Sequence, residues 1–297
     1  MKKIILILSI ALVALSASAQ EAVDADTLWK FSGSTSLNLS QLSLTNWAAG
    51  GDNSLSGNVL INVSANYATD NTSWENKLIL GFGLIKQGDD PYRKSDDQID
   101  FASKLGLKAS EKWFYTALLG YNTQFAEGYD RPSEDDRVKI SNFMAPGYLN
   151  LALGMDYKPS DAFSLLLAPL SGKFTFVLDD ALSAEAFGLD PGENTRSEFG
   201  AYIKMTYKKE ILKNVILDTK IELFRNYLKN PQYVDVNWDL LLTFKVNDYL
   251  SASLLTQLIY DYDIKFGEDT TDDGEFDTFS EKVQFKELFG LGLTYTF

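Results

Sequence analysis

The sequence contains no cysteine and no histidine among its 297 residues. Without cysteine, the chain can form neither a disulfide framework nor a thiolate metal site. Without histidine, it has no His-dependent catalytic triad, no imidazole zinc site and no imidazole general base. We therefore expect no cofactor, and we predict that the protein is not an enzyme.

Long hydrophobic runs are also missing from most of the chain. Only the N-terminus has one, where two lysines precede the apolar run Ile4–Leu15 and small residues then lead to Gln20. This is the layout of a secretory signal peptide, and the run is shorter than the roughly 20 apolar residues of a membrane-spanning helix. We predict a cleaved signal peptide at residues 1–19 and one mature domain at residues 20–297.

Positive charge is scarce, because 27 lysines and arginines face 41 aspartates and glutamates. Cleavage before Gln20 removes two lysines and no acid, so the mature balance is 25 minus 41, or −16. A chain this acidic is repelled by a phosphate backbone, which excludes nucleic acid as a partner. The hydrophobic content of 45% excludes general disorder.

The chain is rich in alternating apolar and polar residues. The clearest stretch is Val283–Phe297, whose odd positions are apolar apart from Glu287 and whose even positions are polar or small apart from Leu288. A period of two places these sets on opposite faces of one strand. A last strand that ends on phenylalanine is typical of outer-membrane barrels, and we expect the barrel-assembly machinery to recognise the protein through this strand ending at Phe297.

Eleven other segments show the same alternation, each near the length that crosses a bilayer as a tilted strand. They are Trp29–Ser40, Leu55–Tyr67, Trp74–Ile85, Gln98–Ala109, Trp113–Phe125, Tyr148–Tyr157, Phe163–Val177, Phe199–Tyr207, Val215–Tyr227, Val234–Val246 and Leu250–Ile264. The segment Phe163–Val177 is the least regular, because three leucines run together and Pro169 lacks a backbone donor. We expect a bulge or kink there.

The connections between these segments alternate in length. They are short after the even-numbered strands and longer and mostly polar after the odd-numbered ones, except for the short link after strand nine. Unpaired backbone groups are not tolerated in lipid, so the first and last strands must pair. The sequence predicts an all-β protein, a single antiparallel transmembrane β-barrel of about 12 strands in the outer membrane of a Gram-negative bacterium, with short periplasmic turns and long extracellular loops.

Charged residues recur on the predicted inward faces. The candidates that line the lumen are Lys77, Asp100, Lys104, Lys204, Asp218, Lys220, Glu222, Asp239 and Lys286. If the turn after strand eight is centred near Ile211, Lys204 lies opposite Asp218, and Glu222 meets Asp239 across the next hairpin. Such a lumen either binds and conducts small polar solutes or is a plug of ion pairs that fills a narrow barrel. A carboxylate pair such as Glu222 and Asp239 can share a proton, but inward polar strands supply such pairs by chance.

One acidic loop has carboxylates around a glycine, a grouping that can supply oxygen ligands to calcium. The candidate ligands are Asp269, Asp272, Asp273 and Asp277. The loop lacks the full spacing of a calcium-binding loop and has no flanking helix pattern. We therefore expect a solvated acidic loop and no metal site.

The first hairpin carries Trp47 beside Gly50 and Gly51, and glycines permit backbone angles that other residues avoid. Asn-Trp-Ala-Ala-Gly-Gly at residues 46–51, after Asn-Leu-Ser-Gln at residues 38–41, resembles the domain of unknown function 3078 family of Bacteroidota outer-membrane proteins. The resemblance would cover nearly the whole mature chain. It implies an outer-membrane barrel without an established activity, and it supplies no catalytic residues.

Together these patterns predict an outer-membrane channel or porin-like protein for small polar solutes. The alternative is a structural or accessory subunit of an outer-membrane assembly without transport activity, favoured by the Trp47 hairpin and the long loops. The expected partners are outer-membrane lipid, the barrel-assembly machinery and, in the alternative, another outer-membrane protein.

Overall fold

The computed structural model describes residues 28–45, 52–129, 138–182, 187–268, 270 and 278–297. Twelve long antiparallel strands form one closed barrel in which each strand pairs with its neighbours in the chain and the last pairs with the first. The strands are β1 Trp29–Leu42, β2 Ser54–Ala68, β3 Thr72–Gln87, β4 Arg93–Lys108, β5 Trp113–Thr123, β6 Gly147–Ser160, β7 Phe163–Phe176, β8 Thr195–Leu212, β9 Val215–Asn226, β10 Asp235–Lys245, β11 Leu250–Tyr260 and β12 Gln284–Thr296. Across the described ranges, no helix is long and apolar enough to span a membrane.

All twelve predicted strands are present, and the predicted fold class is confirmed. Several strands are longer than the alternation indicated, and β4 and β8 have the longest extensions. β4 begins at Arg93 instead of Gln98, and β8 extends several residues beyond Phe199–Tyr207 at both ends. The added residues are mostly polar because they lie beyond the apolar band, where a strand needs no apolar outer face. The link between β3 and β4, predicted to be long, therefore contains only residues 88–92.

The connections differ in length between the two ends of the barrel. The turns at one end cover residues 69–71, 109–112, 161–162, 213–214 and 246–249, and the links at the other end cover 43–53, 88–92, 124–146, 177–194, 227–234 and 261–283. Two of the long links contain short hairpins, Gly128–Tyr129 with Lys139–Ser141 and Phe266–Glu268 with Thr278–Ser280. The predicted alternation of short turns and longer loops is confirmed, apart from the link after β3.

The outer surface of the barrel is apolar. On β12 the outward residues Phe285, Phe289 and Leu293 are each more than 60% exposed, as a lipid-facing side chain must be. Aromatic rings cluster at the short-turn end, where the ring centroids of Trp29 and Trp74 lie 5.3 Å apart. This is the position of an interfacial aromatic belt.

The predicted irregularity near Pro169 is confirmed. The β7–β8 register shifts between Gly200 and Tyr202, and the β6–β7 register shifts between Leu153 and Met155. Proline has no N–H for a ladder hydrogen bond, so β7 bulges at Pro169. The Tyr227 hydroxyl donates a hydrogen bond of 2.9 Å to the Pro169 carbonyl at the bulge.

Three sets of predictions lie outside the described residues. They are the signal peptide at residues 1–19, the first-hairpin residues Trp47, Gly50 and Gly51, and the weak calcium candidates Asp269, Asp272, Asp273 and Asp277. Within the described ranges, no group of three or more acidic side chains is arranged to hold a metal ion.

Candidate functional site

The inward faces of opposite walls are joined by ion pairs that cross the lumen. From the short-turn end towards the loop end, these are Lys77 with Asp218 at 3.3 Å, Lys220 with Asp100 at 2.8 Å, and Lys286 with Asp96. We call these six residues the septum. They join β3 and β4 to β9 and β12, strands that are far apart in the chain. Five of them were predicted to line the lumen; Asp96 was missed because it precedes the predicted start of β4.

Lys220 is the most connected of the septum residues. Its ammonium lies 2.8 Å from Asp100, 3.0 Å from Asp239 and 3.4 Å from Glu222. Glu222 also pairs with Lys204 at 3.0 Å. Charged groups in a shielded interior are tolerated when each has partners of opposite charge, and this network supplies them.

The predicted pairing of Lys204 with Asp218 is wrong. The register between β8 and β9 places Lys204 opposite Glu222, and Lys208 opposite Asp218. The turn contains Asn214, whose φ of 66° lies in the left-handed region that asparagine tolerates in tight turns. The chain therefore reverses at residues 213–214, later than the assumed position near Ile211.

The predicted meeting of Glu222 and Asp239 is also wrong. In the β9–β10 ladder, Glu222 lies opposite Asn237, and Lys220 lies opposite Asp239. The Asn237 amide donates to Glu222 at 3.3 Å, and the Lys220 ammonium contacts both carboxylates. The two acids are thus neutralised by lysines instead of sharing a proton.

A second polar cluster surrounds Lys104 near the short-turn end. The Lys104 ammonium lies 2.7 Å from Asp156, 3.1 Å from Glu75 and 2.7 Å from the Ser164 hydroxyl. The Ser164 hydroxyl donates to Asp156 at 2.6 Å, and Lys158 pairs with Glu75. Asp156 is only 1% exposed, so this cluster fixes four strands, β3, β4, β6 and β7, to one another in the interior.

A third cluster lies at the loop end of the lumen and was not predicted. Lys173 contacts Asp235 and Asp261, each at 2.7 Å. Arg196 reaches Asp263 at 3.1 Å, beyond the end of β11. These charges occur at strand ends or in loops, where the alternation that marks lumen residues fades. The position of Lys173 between inward Ser171 and Thr175 is the one signal that could have found it.

One side of the lumen is filled with side chains. Every inward residue of β7 is buried, in the order Ser164, Leu166, Ala168, Ser171, Lys173 and Thr175. Leu166 and Ala168 pack with Leu118, Tyr202 and Phe224 from neighbouring strands. The wall formed by β5 to β9 therefore leaves little free space beside it.

The opposite side is lined by small polar residues. No inward residue of β1 or β2 is buried, and they are mostly serine and asparagine. The inward set comprises Lys30, Ser32, Ser34, Ser36, Asn38, Ser40 and Leu42 on β1, with Ser54, Ser56, Asn58, Leu60, Asn62, Ser64, Asn66 and Ala68 on β2. On β12 the inward set includes Gly290 and Gly292 as well as the septum residue Lys286, which extends from this side to Asp96. We call the inward surface of β12, β1 and β2 the polar wall.

An apolar groove of about 740 Å³ lies on the outer face, over the strands opposite the polar wall. It is lined mostly by lipid-facing side chains such as Leu105, Leu151 and Phe199. The groove is continuous with the apolar outer surface, so acyl chains of the surrounding lipid can fill it.

The long loops form a small cap above the barrel. Ala145, Val177, Leu182 and Leu189 are buried together there. Beside them, Asp179 accepts hydrogen bonds of 2.7 Å from the Asn142 amide and 3.1 Å from Lys139. The Asn142 hydrogen bond, with the Ala181 N–H and Lys139, holds the pKa of Asp179 below its usual value.

A family model described as "Protein of unknown function (DUF3078)" matches residues 39–129. This confirms the resemblance indicated by the first hairpin, over a stretch from the end of β1 to the loop after β5. The match is shorter than the nearly whole mature chain that the resemblance implied. The comparison with curated proteins finds no match.

Solved structures with a similar course of the chain include three bacterial barrels. The translocator domain of autotransporter NalP from Neisseria meningitidis is 10% identical, with a TM-score of 0.38, and the match covers 98% of this chain and 95% of that chain. An outer membrane channel from Pseudomonas putida F1 is 10% identical, with a TM-score of 0.39 and coverage of 93% and 100%. Outer membrane phospholipase A from Escherichia coli is 14% identical, with a TM-score of 0.34 and coverage of 93% and 94%.

The closed barrel and its apolar outer surface are themselves the evidence for the cellular setting. A strand-built cylinder that exposes phenylalanine and leucine around its outside is stable only where lipid surrounds it. The chain is an outer-membrane β-barrel protein.

Proposed function

We propose that this barrel is a channel that admits small polar solutes along the polar wall. The observation that supports this most directly is the contrast between the two sides of the lumen. The inward residues of β7 are all buried, whereas none of those on β1 and β2 is. Hydroxyl and amide side chains that stay at least partly exposed in the lumen offer hydrogen bonds to a passing solute.

The septum sets the expected selectivity of this channel. Its lysines and carboxylates neutralise each other in pairs, so it presents no ring of one charge to the passage. Rings of like charge make a pore strongly selective for ions of the opposite sign. We therefore expect weak ion selectivity and a size limit that favours small neutral or zwitterionic solutes.

Liposome swelling tests this proposal. Vesicles containing the refolded protein should swell in isotonic glycine or arabinose, and much less in raffinose, because the septum narrows the lumen. Ser36→Phe places a bulky ring on the polar wall and should reduce the swelling rate at least threefold. Thr35→Phe adds the same ring to the adjacent lipid-facing position and should leave the rate unchanged. Equal rates for the two variants would contradict a path along the polar wall.

The alternative is a structural or accessory subunit without transport activity. The cross-lumen ion pairs and the filled side of the lumen favour it, because both add rigidity at the expense of free space. This alternative predicts vesicles that swell no faster than protein-free controls in any of these solutes.

A further inference from the structure

The barrel is closed by an unusually short ladder. β1 and β12 pair from Ser34–Thr296 to Asn38–Gly292, five residue pairs, and Gly33 and Phe297 exchange two further hydrogen bonds. Each of the other neighbouring pairs of strands is joined by ten or more residue pairs. The seam between the first and last strands is thus hydrogen-bonded only over the half that lies near the short turns.

Both strands continue beyond the last pair without joining. Leu39–Leu42 remains paired with β2, and Gln284–Leu291 remains paired with β11. Continuing the register would place Leu39 beside Leu291 and Gln41 beside Phe289, but neither pair forms. The N–H of Leu44 donates instead to Asn53 at 2.6 Å, back towards β2. We call Gln284–Leu291 the free edge, because along it β12 has no ladder partner on the β1 side among the described residues.

The divergence begins at two glycines. A Cβ atom built on inward-facing Gly292 would lie 2.2 Å from the Leu37 carbonyl oxygen and 2.3 Å from the Asn38 side-chain oxygen. A Cβ atom built on Gly290 would lie 3.1 Å from the Asn38 side chain. At Asn38, β1 therefore presses against the lumen side of β12, and the two strands no longer lie edge to edge beyond it.

The backbone groups of the free edge that point towards β1 have no ladder partner among the described residues, and they lie within the membrane. Backbone N–H and C=O groups that face lipid are costly, and an unpaired strand edge is a template for another strand. The outward residues of the free edge are Phe285, Phe289 and Leu291, with Glu287 between the two phenylalanines. Glu287 is exposed and has no ion-pair partner among the residues that the structure describes. A carboxylate on the lipid face is a second group that needs a partner.

We propose that the free edge of β12 binds an extended segment of a partner protein as an added antiparallel strand, with a lysine or arginine opposite Glu287 and apolar residues at its other outward positions. The added strand would satisfy the edge by main-chain hydrogen bonds, and the cation would neutralise Glu287 in a cross-strand pair. Bilayer lipid covers the apolar side chains but supplies no ladder of donors and acceptors.

A second copy of the chain fits this edge poorly. In a two-fold dimer built on β12, the same edge from each subunit meets at the axis. The two Glu287 carboxylates would then face one another across the interface, and like charges on paired strands are unfavourable. A partner with a basic residue at this position has the complementary charge.

The open seam can be tested by disulfide formation, because the chain has no native cysteine. Thr35→Cys with Tyr295→Cys joins two positions that are paired in the seam and should give a disulfide on mild oxidation. Gln41→Cys with Phe289→Cys joins positions that would be neighbours only if the seam continued, and should stay reduced. Equal oxidation of the two variants in lipid vesicles would show a fully closed seam and overturn the proposal.

Strand addition is tested with a fluorescent ten-residue peptide of alternating valine and serine that carries one central lysine in the valine set. Binding to the folded protein in lipid nanodiscs, measured by anisotropy, should be saturable. It should weaken at least fivefold with a glutamate peptide, with a peptide N-methylated on its edge-facing amides, and with Glu287→Gln. Glu287→Lys should bind the glutamate peptide better than the lysine peptide.

Strand addition would be overturned if the peptides bound equally well whatever their charge or backbone methylation. It would also be overturned if no saturable binding were observed. The heat-modifiable folded band confirms that each variant is a barrel before it is measured. Because these readouts need no transport, a barrel that fails to swell vesicles leaves this proposal intact, and loss of peptide binding leaves the channel intact.

Discussion

Gly292 shows how a missing side chain sets the geometry of the seam. Gly292→Ala places a Cβ atom 2.2 Å from the Leu37 carbonyl, so β1 or β12 must shift. We expect a loss of about 1–3 kcal/mol in the free energy of unfolding, the usual cost of overpacking. Gly120→Ala is the control, because its nearest neighbour, the Asn150 Cβ, lies at an ordinary 3.7 Å. Equal urea midpoints for the two variants would contradict the close approach.

Lys220 neutralises three carboxylates, so its removal should be more harmful than removal of an exposed lysine. Lys220→Ala leaves Asp100 and Asp239 without their shared cation, and breaking a shielded ion pair in this way costs about 3 kcal/mol. Lys208→Ala removes a lysine whose side chain is 62% exposed and should change stability by less than about 0.5 kcal/mol. Urea unfolding of the two variants in the same detergent measures the difference. Similar midpoints would mean that the network adds little.

The sequence indicated which residues are inward, but not which of them meet. Lys77 and Asp218 are 141 positions apart, and Lys220 and Asp100 are 120 apart. Alternation places each of these side chains on the lumen side of its own strand. Which walls face each other depends on the closed circuit of strands and on the register of every hairpin, and no local pattern encodes these.

At the scale of single strands, the two faces should respond very differently to the same substitution. Leu80 faces lipid on β3, and Asn62 lies on the polar wall beside it on β2. Leu80→Arg should cost roughly 2–4 kcal/mol, as a cation at the bilayer midplane does. Asn62→Arg should cost much less because its guanidinium stays in the aqueous lumen. The fraction of folded band after heating in gel electrophoresis compares them, and equal losses would contradict the assignment of faces.

The loop cap should loosen in acid. The pKa of Asp179 is lower in the folded protein than in the unfolded chain. The ionised carboxylate therefore stabilises the folded cap fully at pH values above its pKa in the unfolded chain, and this stabilisation is lost as the pH falls through its pKa in the folded protein. The window therefore lies below about pH 4. Amide exchange at Asn142 and Ala145, which bond to each other, should quicken there beyond the intrinsic rate. Asp179→Asn should show fast exchange at all pH values, and an unchanged profile in this variant would contradict the role of the carboxylate.

The strand boundaries could be predicted where one face contacts lipid and the other faces the lumen, because the sequence there alternates with a period of two. They were predicted less well beyond the bilayer, where this alternation is absent. The terminal strand Val283–Phe297 was anticipated to within a residue of β12 at each end. The start of β4 was not, because Arg93 to Asp97 is polar on both faces. The register of β8 with β9 was missed because it depends on the left-handed conformation of one residue, Asn214.

For the whole molecule, the structure shows an unequal lumen. The side formed by β5 to β9 is filled, the side formed by β12, β1 and β2 is lined by small polar groups, and the septum runs between them. The charge pattern alone left an ion-paired plug and a charged conduit as alternatives. In the barrel that the structure describes, the ion pairs that cross the lumen and the packed side formed by β5 to β9 agree with the plug. The partly exposed serine and asparagine side chains of β1 and β2 are the basis of the proposed conduit.

Single-channel conductance of the refolded protein in a planar bilayer tests the proposed passage of solutes along the polar wall. We expect steady small openings with weak ion selectivity. The double variant Lys77→Ala with Asp218→Ala removes one level of the septum, so its conductance should be at least twofold larger, whereas Thr35→Phe should match the wild type. A folded protein that stays silent both as wild type and as the double variant would contradict the channel.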